Sequence, residues 1–68
     1  MNMQTLAPTA PTVTLESQVA FTLRMLCLRR DSHSWRDYEV GKRGLDTLEL
    51  TAQEYQQAMH LVAQWVGV

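Results

Sequence analysis

The segment Thr51-Ala52-Gln53-Glu54 constrains this chain more than any other stretch of it. A threonine followed three residues later by glutamate is a capping box, in which each side chain satisfies a backbone N–H that the first turn of a helix leaves unpaired. Leu50 and Tyr55 flank it as a hydrophobic staple. Tyr55, Ala58, Met59, Val62, Trp65 and Val66 then recur at the i, i+3, i+4, i+7 spacing of an amphipathic helix. The spacing predicts a helix over 52–66.

The rest of the chain must supply something for that helix to pack against, and there is little of it. The 68 residues allow one domain. A chain of this size hides only about 60% of the surface its unfolded form exposes. Cys27 is the only cysteine, so no intrachain disulfide can staple the fold. Cys27, His33 and His60 match no zinc spacing, and neither a metal nor a cofactor is expected. Association is the remaining supplement for a thin core.

Two more helices are expected. Thr14 reads as an N-cap with Glu16 in the first turn, and Leu15, Val19, Leu23, Leu26 and Cys27 recur at helical spacing. Arg29 and Arg30 sit where a helix C-terminus welcomes cations, which predicts a helix over 15–30 with Cys27 as a small core residue. Ser34 with Asp37 resembles a second capping box, opening a short helix over 35–43 with Glu39 and Arg43 in the favourable i, i+4 order. Gly41 weakens that helix, and Gly44 fits a left-handed stop with Leu45 returning to Val40. Leu45 to Leu50 is then an extended connection. Residues 1–13 hold both prolines and no helical period, and read as a flexible arm ahead of a single helical domain, 14–68.

The fold class expected is therefore all-α, with three helices. The competing reading is α+β, a short antiparallel meander over residues 13–50 beneath the C-terminal helix. Val13, Leu15, Val19, Phe21, Leu23, Met25 and Cys27 also alternate with largely polar residues, as in a strand. End signals and length favour the helix.

Function is less legible. With 46% hydrophobic and 19% charged residues and a net charge of −1, the composition is globular and slightly charge-poor. No apolar run approaches a membrane span, and no signal-peptide pattern opens the chain, so a cytoplasmic protein is expected, without membrane contact. Asp31, Ser32, His33 and Ser34 contain the residue types of a hydrolase triad, but a triad draws on distant segments, and a capped turn explains these neighbours better. Gly41 and Gly44 around Lys42 and Arg43 match no phosphate-loop spacing. No catalytic group is expected.

What stands out is surplus apolar helix surface. Glu54 is the only charged side chain in the helix over 52–66, whose polar arc is Gln53, Gln56, Gln57, His60 and Gln64. Phe21, Met25 and Leu28 fall opposite the main stripe of the first helix. Exposed apolar area of this kind marks an interface. The expectation is a non-catalytic interaction protein: a homodimeric regulator, or a small subunit, adaptor or inhibitor. Its partner would be met through Tyr55, Met59, Leu61, Val62, Trp65 and Trp35. The alternative is a small nucleic-acid binder. Arg24, Arg29, Arg30, Arg36, Lys42 and Arg43 fall within positions 24–43, a window carrying +3 against −4 for the remainder. Arginine beside Trp35 and Tyr38 can contact phosphates and stack on bases. The overall acidic balance gives such binding little drive. On the protein-binding reading, the same basic segment would select an acidic partner surface.

Overall fold

A computed structural model describes residues 13–68, and they form three helices and a 3-10 turn: α1 over Leu15–Met25, α2 over Trp35–Leu45, the turn Asp46–Leu48, and α3 over Ala52–Val66. The all-α reading holds and the meander does not; no strand occurs among the described residues. The arm expected over 1–13 lies, apart from exposed Val13, outside the described residues. No helix among them is long and apolar enough to cross a membrane.

Each helix begins at the cap its sequence specifies. Thr14, Ser34 and Thr51 hold extended backbone, and their side chains accept from the backbone N–H of Ser17, Asp37 and Glu54. At Thr51 the box is complete: the Glu54 carboxylate accepts from the Thr51 amide at 2.9 Å. The ends of α1 and α2 differ from expectation. α1 stops at Met25 rather than residue 30, because Cys27 turns left-handed (φ 59°). Leu28 N–H then donates to Leu23 C=O at 3.0 Å and Cys27 N–H to Arg24 C=O at 2.9 Å, the paired bonds of a Schellman ending. Continued as helix, the chain would carry Leu28 to the face opposite Val19; the turn returns it to the core instead. Cys27 is consequently exposed rather than a core residue, and Arg29 and Arg30 lie beyond the helix end.

α2 runs through Gly44, which is not a left-handed stop. The helix ends two residues later than expected, and Leu45, 1% exposed, joins the core instead of folding back on Val40. Residues 46–48 coil on as the 3-10 turn instead of an extended connection, and Glu49 (φ 54°) provides the reversal. Glu39 pairs with Lys42 at 3.8 Å, not with Arg43.

The core is small: Val19 and Leu23 from α1, Leu45 from α2, and Ala58, Val62 and Val66 from α3. Gly41 is the point where all three helices meet. A Cβ there would lie 2.7 Å from Val62 Cγ1, 3.2 Å from Leu23 Cδ2 and 3.4 Å from Leu28 Cδ1. Carbon atoms prefer about 3.5–4.0 Å, so nothing larger than glycine fits without displacement. Gly44 sits one turn on, where a Cβ would come within 2.7 Å of Leu26 Cδ1.

These two glycines make a discriminating pair. In an exposed helix, alanine improves on glycine by about 1 kcal/mol. At Gly41 the obstructing methyl belongs to fully buried, β-branched Val62, so Gly41→Ala should lose about 1–3 kcal/mol in urea unfolding. At Gly44 the closest atom is the end of a Leu26 side chain that is 39% exposed and can rotate away, and the Thr22 methyl at 3.1 Å need give only a few tenths of an ångström, so Gly44→Ala should cost less than Gly41→Ala, within about 1 kcal/mol of wild type. Equal losses would contradict the packing described.

Candidate interaction surfaces

The C-terminus of a helix leaves carbonyls without intrahelical partners, and in α3 they are met from across the fold. The loop between α1 and α2 donates Asp31 N–H to Trp65 C=O and His33 N–H to Val66 C=O, both at 2.8 Å. His33 Nδ1–H donates to Gly67 C=O at 2.9 Å. In return Trp65 Nε1–H donates to Leu28 C=O at 3.0 Å, and the Arg30 guanidinium lies 4.0 Å above the Trp65 ring. To aim these groups the loop holds Cys27, Asp31 and His33 at positive φ, which costs about 1–2 kcal/mol for each non-glycine residue. Five polar or stacking contacts to one helix end offset that cost. Gly67, at φ 89°, completes the clasp, and a Cβ there would touch the His33 ring at 3.0 Å.

The clasp accounts for the Asp31–Ser34 cluster. His33 Nδ1 is committed to a backbone carbonyl and Ser34 Oγ caps α2, so both side chains make structural bonds, while Ser32 Oγ is buried without a partner. Among the described residues no three His, Cys, Asp or Glu side chains gather as a metal-binding group.

It also revises where partner contacts can lie. Val62 is fully buried and faces no partner of the folded chain. Tyr55, Met59, Leu61 and Trp65 are half-buried and packed against the core, so most of the apolar stripe of α3 is used internally. Trp35 is different: it is 66% exposed, edge-on to Tyr38 with ring centroids 5.6 Å apart. The surplus apolar area lies mainly on the outer face of α1, at Phe21 (60% exposed) and Met25 (68%). Beside them runs an open, mainly apolar groove of about 300 Å³, reaching across to Gly44, Thr47 and Leu48. Phe21 and Met25 stand out in the sequence as the residues opposite the stripe. The groove could not be foreseen, since it depends on α2 continuing through Gly44 and bringing Thr47 and Leu48 alongside α1.

The trough between α1 and α3 is of another kind. Leu15 and Leu61 share its walls with Glu16, Gln56, Gln57 and His60, which line it with groups that water satisfies.

The basic residues are spread over separate elements. Arg24 is on α1, Arg29 and Arg30 follow the α1 turn, and Arg30 is engaged with Trp65. On α2, Trp35, Arg36, Glu39 and Arg43 are exposed along one side, with Lys42 5.4 Å from the Tyr38 ring. Neither a protein-family model, nor a curated protein, nor a solved structure matches the chain.

The two tryptophans should behave differently. Trp65→Phe removes the bond to Leu28 and should lower unfolding free energy by about 1–2 kcal/mol, counting the carbonyl it strands. Trp35→Phe, at an exposed position, should cost under about 0.5 kcal/mol. Denaturant unfolding of both variants checks the contrast.

Proposed function

We propose that this protein is a non-catalytic interaction protein of the cytoplasm that docks through the outer face of α1. The observation carrying this reading is the exposure of Phe21 and Met25 beside an apolar groove. Each such side chain would contribute about 1.5–3 kcal/mol if it moved fully from water into a contact. Both project from a helix whose opposite face already supplies Val19 and Leu23 to the core, so they add nothing comparable to the isolated fold. Apolar side chains clustered about a groove in this way are characteristic of a docking site. A lone, exposed cysteine suits a reducing compartment.

The test is capture by the tagged full chain, compared with Phe21→Asp and Met25→Asp. Wild type should recover one stoichiometric partner, or a second copy of itself. Each variant should lose it while keeping wild-type helicity by circular dichroism. Retention of the partner by both variants would contradict the reading.

The α2 surface favours a second reading, in which the chain binds nucleic acid. Trp35 offers a stacking platform with Arg36 and Arg43 on the same side of the helix. On that reading Trp35 fluorescence is quenched by a single-stranded oligonucleotide at low salt, and Arg36→Glu with Arg43→Glu abolishes the quenching. No quenching by any oligonucleotide at low salt removes this alternative.

A further inference from the structure

We infer that segment 29–33 is a strap that opens while the three helices stay packed, so that the clasp has a closed and an open form. Its two ends are fixed by bonds that do not involve α3. Leu28 N–H donates to Leu23 C=O at 3.0 Å, and Ser34 Oγ accepts from Asp37 N–H at 3.1 Å. Between these points none of Arg29, Arg30, Asp31, Ser32 and His33 belongs to the hydrophobic core or packs on it as an apolar group. The strap can therefore leave α3 without withdrawing a side chain from the core. α3 keeps its own ending when it does, because Gly67 N–H and Val68 N–H both donate to Ala63 C=O, at 2.8 and 3.1 Å.

The closed form is finely balanced. Asp31 and His33 sit at φ 56° and 55°, and both can return to the commoner backbone region once released. Ser32 Oγ is buried without a partner, so closure takes a hydroxyl from water and gives it no bond. Against these costs stand the bonds from Asp31 and His33 to the carbonyls of Trp65, Val66 and Gly67, and the Arg30–Trp65 contact. Arg30, Asp31 and His33 are exposed, so water competes for every one of these contacts. Few buried apolar contacts and bonds at the surface are the marks of a segment that opens on its own. Opening bares the ring face of Trp65 and the three carbonyls that the closed strap covers.

Native-state hydrogen exchange of the full chain, followed by NMR at rising urea below the unfolding transition, tests this. The amides of Asp31 and His33 should exchange faster than those of Leu23 and Val62, and almost independently of urea, since strap opening exposes little surface. Leu23 and Val62 should exchange through global unfolding, with a steep dependence on urea. Ser32→Ala removes the unpaired hydroxyl and should slow exchange at Asp31 and His33 about fivefold or more, with the shallow urea dependence kept. His33→Ala removes the bond to Gly67 and should speed exchange at Asp31 about fivefold. If Asp31 and His33 share the rate and urea dependence of Leu23 and Val62, the proposal is overturned, because the strap then leaves only when the fold unfolds. Exchange at Asp31 and His33 as fast as in an unstructured peptide overturns it equally, there being no closed form. Unchanged exchange in Ser32→Ala removes the balance on which the proposal rests.

Discussion

The contact between Gly41 and Val62 sets the distance between α2 and α3, and with it the position of everything else. Because nothing larger than a hydrogen stands on Gly41, the α2 backbone approaches until Leu23 and Leu28 close over the same point. That approach rotates α2 so that Leu45 enters the core and Gly44 faces α1. It also decides which apolar residues are left over. With Val19 and Leu23 turned inward, Phe21 and Met25, half a helical turn away, can only face outward.

A domain this small needs reinforcement that a disulfide or metal often provides. Here the loop carrying Asp31 and His33 fills part of that role by binding the end of α3. Bonds from Asp31, His33 and Trp65 connect residues more than thirty positions apart, so they close most of the chain into one unit. The left-handed backbone at Cys27, Asp31 and His33 is tolerated because the bonds it enables are numerous and local to one helix end. Asp and His adopt this conformation more readily than most residues, which is consistent with their positions in the loop.

What could be read from the sequence was governed by local chemistry. Thr14, Ser34 and Thr51 announce helix starts because the cap bond lies within three residues of the cap itself. The bounds of α3 were equally legible, since the capping box at Thr51 and the apolar recurrence up to Val66 mark its two ends. The misread endings share one cause. Gly44 has the composition of a stop, but tertiary packing used it as a space; Cys27 lacks that composition, yet packing of Leu28 forced it to serve as one. The expectation that α3 carries the affinity fails for Val62 for a similar reason. Periodicity identifies an apolar stripe without saying whether it will be covered by its own chain, and here α1, α2 and the loop cover most of it.

The apolar stripe of α3 is thus largely internal, and the far side of α1 is exposed. Hydroxyl-radical footprinting of the dilute full chain tests it by comparing like residues, so that intrinsic reactivity cancels. Met25 should oxidise several times faster than Met59, and Trp35 faster than Trp65, in keeping with exposures of 68% for Met25 and 66% for Trp35 against half-buried Met59 and Trp65. Faster oxidation of Met59 and Trp65 would contradict the account and return the interface to α3.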